Sequence, residues 1–400
     1  MIQRPEYIKK FISFKDKELI KIVTGVRRCG KSTLFELYQA ELLKTGIQHD
    51  QILNINMDDP VYYELKDWQK LYNYIKNRLI PDKKNYIFID EIQNVSDFEK
   101  AASGLFIKKN VDLYLTGSNS RVQSGEWATL LAGRYVEIHV LPLSFKEYHS
   151  AKFTGNVEET FRNYLENSSF PYTLQLDSDK KLIRDYLGGI YSTIVLRDVM
   201  ENKKIRDAGR LEAVIKFMAD NIGNLTSIKK ISDTMASDGI KIMPLTIENY
   251  MDAFRSSYIL YKTGRYDVKG KKILQTMDKY YLADIGLRFY LLGDRITDRG
   301  RMLENTVFLE LLRRGFRIYT GKINENEIDF VAEGTEGTVY YQVADTVMDE
   351  STLKRELSPL NAVKDHNPKI ILTRDYSPVT SHNGIRQINI YDWLLQSRDW

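Results

Sequence analysis

Residues 25–32, Gly25-Val26-Arg27-Arg28-Cys29-Gly30-Lys31-Ser32, constrain the fold more than any other stretch of this 400-residue chain. A glycine, four residues and then Gly-Lys-Ser is the spacing of a loop that wraps a phosphate. Its setting gives the spacing weight. It follows an apolar, β-rich run, Leu19 to Thr24, and precedes a helical pattern from Thr33 that carries Leu34, Phe35, Leu37, Leu42 and Leu43. A strand–loop–helix unit turns the loop N–H groups toward an anion and adds the positive end of the helix dipole. In such a loop Lys31 neutralises the β- and γ-phosphates and Ser32 ligates Mg²⁺. Gly25, Arg28, Gly30 and Thr33 complete the candidate nucleotide contacts, and Cys29 reads as a small filler.

A second motif supplies the acidic half of such a site. Tyr86-Ile87-Phe88-Ile89-Asp90-Glu91 is an apolar strand ending in two carboxylates. Asp90 is the candidate for the Mg²⁺ shell with Ser32, and Glu91 the candidate general base toward water. Two further strands, 51–57 and 111–117, alternate with helical segments near 67–79 and 96–109. The alternation predicts an α/β fold with a parallel, doubly wound sheet whose loops gather at its carboxyl edge. Asn119 then falls beside Gly25 and Asp90, either sensing the γ-phosphate and orienting water or sitting in an ordinary turn. Arg134 lies between a helix at 127–132 and a fifth strand at 135–141. In a closed ring this junction faces a neighbour's nucleotide, where an arginine stabilises transition-state charge in trans; a structural salt bridge is the other reading.

The order of residues 25–32, 87–91, 116–119 and 133–134 resembles AAA+-type P-loop ATPases. More narrowly, the loop, Phe88 to Gln93, Leu115 to Ser120 and Gly133 to Tyr148 resemble a prokaryotic family of such ATPases with a C-terminal region of unknown function. The resemblance covers almost the whole chain. It implies ATP and Mg²⁺ as ligands, and a helical lid after the fifth strand. Residues 1–143 are the expected ATPase core and 144–202 the expected lid, with Arg197 either sensing nucleotide or lying on a solvated helix face.

Residues 203–298 read as a winged helix: helices at 211–222, 227–235 and 244–254, with Ser227 and Thr246 as caps, then a strand pair at 259–266 and 279–282. The linker of that pair holds Arg265, Lys269, Lys271 and Lys272, candidate phosphate contacts to DNA, with Tyr266 placed to stack. The helix expected to enter a groove carries Glu248 and Asp252, which repel phosphate. The domain therefore binds DNA or serves as a protein-docking or regulatory module, and a basic wing also fits mere solubility.

From 299 to 400 the order helix, three strands, helix, strand resembles a restriction-endonuclease-like core. Glu304 and Asp329 fit its first two metal-site positions. The third reads Gln342-Val343-Ala344, where the pattern has Glu-x-Lys. A neutral Gln ligates a metal poorly and Ala has no chemistry, so an inactive, degenerate nuclease fold is expected, with Asp345 as the nearby partial substitute.

Composition agrees with these readings but selects none. Lys plus Arg is 58 and Asp plus Glu 54, a net +4 that neither identifies nor excludes a nucleic-acid partner. One cysteine rules out an intrachain disulfide, and five histidines make a His-rich metal site implausible. Met1 to Lys10 has no signal-peptide core and no apolar run reaches a span, so a cytoplasmic protein without a membrane partner is expected. The function that unites the motifs is a Mg²⁺-dependent ATP-hydrolysing switch or remodeller. It is expected to form a homo-oligomer and to act on DNA or a DNA-associated partner. An ATP-regulated nuclease and a slowly hydrolysing scaffold for protein partners are the alternatives.

Overall fold

Five parallel strands run through the centre of the first unit: β1 (Ile20–Thr24), β2 (Ile52–Asn56), β3 (Asn85–Asp90), β4 (Val111–Thr116) and β5 (Tyr135–His139). The computed structural model describes residues 2–117, 131, 133–152, 155–194, 199–200, 205–293, 299–377 and 380–396. The chain divides into two units, Met1–Pro142 and Leu143–Trp400. In the first, the strand order is β2-β3-β4-β1-β5. Strands β1 and β3 are buried along their whole length, as central parallel strands are when helices cover both faces.

Alternation along each strand sorts the two faces. Ile87 and Ile89 of β3 join Ile20, Ile22, Leu113 and Leu115 in an aliphatic layer. That layer packs on α3 (Trp68–Lys76) and α4 (Phe98–Phe106) through Leu71, Ile75, Ala101 and Leu105. Phe88 points the other way. It stacks on Tyr114 with ring centroids 4.7 Å apart. Phe11 of α1 (Pro5–Phe14) stacks on Tyr38 of α2 (Lys31–Lys44) at 4.8 Å in the same aromatic layer. At the amino edge of the strands Lys21 and Asp112 form a fully buried ion pair. The Tyr114 hydroxyl (2.8 Å) and the Asp16 backbone N–H (2.9 Å) also donate to Asp112. The sheet is thus closed by charge at one edge and leaves the other free for loops.

The second unit opens with α5 (Phe145–Ala151), α6 (Val157–Glu166) and α7 (Lys180–Ser192). Ser144 and Glu147 form a reciprocal capping box at the start of α5. Next come α8 (Ala208–Asp220), α9 (Ile228–Ser237) and α10 (Pro244–Ser256), then the hairpin β6 (Leu260–Asp267) and β7 (Lys272–Leu282). Ser227 caps α9 as expected, accepting from the Lys230 N–H at 3.1 Å. Thr246 is not a cap: α10 starts at Pro244, whose missing N–H and fixed φ suit the first turn.

The remaining elements are α11 (Ile285–Leu292), α12 (Arg299–Arg313), β8 (Arg317–Ile323), β9 (Asn326–Gly334), β10 (Gly337–Ala344) and α13 (Glu350–Ala362), followed by β11 (Lys369–Thr373), β12 (Ser381–His382), β13 (Ile385–Asn389) and α14 (Ile390–Leu395). One mixed sheet of order β12-β13-β11-β10-β9-β8-β6-β7 runs through the unit. The hairpin does not stand free. Strand β6 pairs in parallel with β8 at Arg265↔Thr320, and this pairing carries β6 to Asp267. The turn is therefore 268–271, shorter than the 265–272 linker expected, and Arg265 lies within the sheet. The earliest helices belong to the same body: Phe161 of α6 meets Tyr391 of α14 with centroids 5.2 Å apart, and the Ser169 N–H and hydroxyl donate to Asp284 at 2.7 and 2.6 Å. Among the described residues no helix is long and apolar enough to cross a membrane.

Candidate functional site: a phosphate loop and its acidic partner

The loop between β1 and α2 keeps a curled conformation that few residue types accept. Gly25 has φ of 143°, and a Cβ there would sit 2.1 Å from the Val140 carbonyl oxygen. Only glycine fits so close to the end of β5. Arg28 and Gly30 are left-handed, with φ of 68° and 98°. Lys31, the first residue of α2, folds its chain back into the loop. Its ammonium donates to the Gly25 and Val26 carbonyls at 3.1 and 3.2 Å. Arg28 and Ser32 are exposed and Thr33 is half-buried, whereas Cys29 is fully buried. Burial pushes the Cys29 thiol up, which suits the filler role and disfavours a reactive thiolate.

The strand order explains how the second motif reaches this loop. Strand β4 is inserted between β1 and β3, with Val23 opposite Thr116 and Ile89 opposite Leu115. Thr116 therefore ends beside both motifs. Its hydroxyl donates to Asp90 and accepts from the Glu91 N–H at 2.9 Å. Ser32 also hydrogen-bonds the Asp90 side chain. Burial pushes the Asp90 carboxyl above its ordinary range, and the bonds from Ser32 and Thr116 pull it back down. Asp90 and Ser32 thus present two oxygens at one point, the donor type that Mg²⁺ takes. Glu91 stands next to them with φ of 52° and ψ of 48°.

Arg4 backs the loop from the opposite side, and nothing in the local pattern marks it. Its guanidinium, 3% exposed, donates to the Cys29 carbonyl at 3.0 Å and to those of Leu141 and Pro142 at 2.9 and 3.3 Å. Tyr7 lies under that guanidinium at 4.5 Å and its hydroxyl accepts from the Leu141 N–H at 3.1 Å. The first turn of α1 thereby ties the phosphate loop to the chain leaving β5.

Arg134 is not brought to this cluster within one chain. It precedes β5 at the amino edge of the sheet, where its carbonyl accepts from the Ile20 N–H at 2.9 Å. Its guanidinium rests over the Phe106 ring at 5.7 Å. Asn119 and Arg197 lie outside the described residues.

A second cluster gathers in the other unit. Glu304 on α12 and Asp329 on β9 come together around Lys279 of β7, a residue 2% exposed that the motif reading passed over. Its ammonium lies 2.8 Å from Glu304, 2.8 Å from Glu327 and 3.8 Å from Asp329. Burial opposes its charge, yet the three carboxylates outweigh burial and hold its pKa above the ordinary lysine value. Burial and the neighbouring Glu304 push Asp329 well above the carboxylate range. The Tyr281 hydroxyl donates to Glu304 at 2.7 Å. Gln342 joins through Asp329, whose N–H donates to it at 3.3 Å, and it donates in turn to Glu356 at 2.9 Å. Asp345 instead pairs with Arg374. On the hairpin Lys269, Lys271 and Lys272 are exposed, while Arg265 is half-buried in the sheet.

Comparison with known proteins gives an AAA-type domain in the first unit. A family model described as an AAA domain matches residues 17–149, and one described as a domain of unknown function matches residues 158–297. A Walker-type ATPase of Pyrococcus abyssi shares the fold with a TM-score of 0.51 at 14% identity, over 73% of this chain and 96% of its own. An uncharacterized protein of Methanocaldococcus jannaschii (MJ1544) is 30% identical, over 86% of this chain and 79% of its own. An uncharacterized protein of Haemophilus influenzae is 38% identical over 99% of both chains. The chain therefore belongs to the family of these Haemophilus and Methanocaldococcus proteins, whose mark here is an AAA-type P-loop nucleotide-binding domain.

Proposed function

We propose that the protein binds ATP with Mg²⁺ at residues 25–33, hydrolyses it with Glu91 as base, and works as a nucleotide-driven switch on DNA or a DNA-bound partner. The carrying observation is the junction of Ser32, Asp90, Glu91 and Thr116 at one sheet edge. Gly25, Arg28, Gly30 and Thr33 shape and line the loop, and Lys31 moves from the loop carbonyls to the phosphates when nucleotide enters. Bound between Ser32 and Asp90, Mg²⁺ neutralises phosphate charge. Asn119 completes the γ-phosphate end. At the far edge of its own sheet, Arg134 would meet a nucleotide only on a second copy, and in that role goes with a homo-oligomer. Lys31→Ala should weaken ATP binding about 10- to 100-fold, the worth of one charged hydrogen-bonding group. Calorimetric titration with ATP and Mg²⁺ measures it, and an unchanged affinity would sink the site assignment.

The DNA part rests on three exposed lysines, Lys269, Lys271 and Lys272, on the turn of a winged-helix-like hairpin. Arg265 contributes from within the sheet. If these lysines hold phosphates, converting all three to alanine should lower the slope of log affinity against log salt by about 3 on duplex DNA. An unchanged slope would move the partner from DNA to protein. For the C-terminal cluster we favour a degenerate nuclease-like fold without cutting activity. Lys279 supplies the positive charge among the acids, and among the described residues no three acidic, histidine or cysteine side chains are arranged to hold a metal ion.

A further inference from the structure

We propose that the amino edge of the five-stranded sheet, opposite the phosphate loop, is a further contact for the phosphate backbone of duplex DNA. One DNA strand lies across the loops that enter β3, β4 and β1. The proposal rests on the reading that the protein works on DNA. The strand order β2-β3-β4-β1-β5 sets these three loops side by side, at residues 77–84, 107–110 and 15–19. Together they carry seven lysines and arginines against three acids, Asp16, Glu18 and Asp82. The net +4 of the whole chain conceals this local excess. Lys83, Lys109 and Lys17 give each loop an exposed lysine. Among the described residues Lys17 and Lys109 meet no carboxylate, and Lys83 meets only Asp50, at 4.0 Å. Asp16 is engaged inward, accepting from the Tyr86 hydroxyl at 3.1 Å.

Two features separate this edge from an ordinary solvated surface. The first is position. Cations complement the negative end of a helix dipole, but the effect fades beyond the last turn. It accounts for Lys76, in the last turn of α3, and for Lys108, just past α4. It does not account for Lys83 and Lys84, which follow Pro81, or for Lys17 and Lys109, which lie beyond the C-caps Lys15 and Ile107. The second feature is rigidity. Asn85, 2% exposed, gives its side chain to the loops. It donates to the carbonyls of Ile80, Lys83 and Asn110 at 3.1, 2.9 and 3.3 Å, and accepts from the Ile80 N–H at 2.9 Å. Lys84 Nζ donates to the Lys109 carbonyl at 3.0 Å, which ties the β3 loop to the β4 loop. Lys21 Nζ donates to the Lys17 carbonyl at 2.9 Å and fixes the third. The backbone is therefore set in advance, and only the exposed side chains have to order on binding. Neighbouring strands lie about 4.8 Å apart, so three loops place cations along roughly 10 Å. One DNA strand carries a phosphate about every 3.4 Å of axis, and about three fit that length. A fixed row of cations suits a linear polyanion. A bilayer would need several apolar side chains to insert beside the lysines, and these loops expose one large one, Ile107.

The test is the salt dependence of binding to a labelled DNA duplex, followed by fluorescence anisotropy, with thermal unfolding of each variant. In Lys17→Gln/Lys83→Gln/Lys109→Gln the slope of log affinity against log salt should fall by about 3, near 0.9 for each lost phosphate contact. Lys17→Arg/Lys83→Arg/Lys109→Arg should keep the wild-type slope, because the charge is kept. Lys9→Gln/Lys180→Gln/Lys354→Gln removes the same charge from exposed lysines elsewhere and should change the slope by less than about 1. A wild-type slope in the first variant, or an equal fall in the last, overturns the proposal. If the first variant unfolds early, Lys83→Gln/Lys109→Gln decides instead, with an expected fall of about 2. Lys269→Ala/Lys271→Ala/Lys272→Ala, measured beside these, separates the two levels of argument. A slope lost from the hairpin turn but kept without the edge lysines removes the edge contact alone. Wild-type protein that shows no salt-dependent binding removes the DNA reading, and the edge contact with it.

Discussion

Glu91→Gln should bind ATP as the wild type does and turn it over about 10²- to 10⁴-fold more slowly, the usual worth of a positioned general base. The substitution keeps the length and hydrogen-bonding reach of the side chain, so the left-handed backbone and its bond to Thr116 have no reason to change. It removes only the proton acceptor. Lys31 and the loop amides lie elsewhere and keep their hold on the phosphates. Rapid-quench single turnover, read beside ATP affinity, isolates the chemical step from product release. A rate within about threefold of wild type would show that another group takes the proton. The variant is also the natural trap for the ATP-bound form, and so the right protein in which to weigh oligomers and look for Arg134 in trans.

The first site was largely legible because its chemistry is local. Gly25 to Ser32 lie within eight consecutive residues and Asp90-Glu91 are adjacent, so each half can be read within a single strand–loop unit. What joins the halves was not legible. Thr116 bridges Asp90 and Glu91 only because β4 enters the sheet between β1 and β3, and strand order is set by long-range packing that no local pattern records. Arg4 reaches Cys29 across 25 residues and Leu141 across 137, with no periodicity to announce it. Gln93 stood in plain view in the Asp-Glu-Ile-Gln run. Its amide bond to the Glu91 carboxylate depends on a backbone turn at Glu91 that is rare for glutamate, and so could not be foreseen.

The second unit shows the opposite balance. Element types were readable from alternation and helical spacing, and the strands at 326–334 and 337–344 fall where expected. The partnership of the hairpin was not, because the parallel pair β6–β8 joins segments more than 50 residues apart. The same event explains why Lys279 was missed. On its own strand it is one lysine in a tyrosine-rich run; only the folded sheet sets it against α12 and β9.

Lys279 therefore carries the largest stability effect expected in the chain. Lys279→Met keeps the aliphatic stem and removes the charge, leaving Glu304, Glu327 and Asp329 without their common cation. Breaking a buried pair from one side costs about 3–5 kcal/mol, because the abandoned charge stays buried. For a unit of this size that lowers Tm by roughly 6–20 °C at neutral pH. The pH dependence identifies the cause. Asp329 already has a folded-state pKa raised first by burial and then by Glu304, and loss of the Lys279 ammonium removes the nearby positive charge that holds it down. A carboxyl raised in the folded state favours folding below its unfolded pKa and loses that contribution as pH rises through the folded value. The deficit of Lys279→Met should thus be greatest near pH 8 and shrink toward pH 5, as Asp329 takes up its proton. Thermal unfolding across that range measures it. The double variant Lys279→Met/Glu304→Gln should recover part of the loss at pH 8, since it removes one of the stranded charges. A Tm within about 2 °C of wild type at pH 8, or a deficit independent of pH, would mean that the lysine is not what holds these acids together.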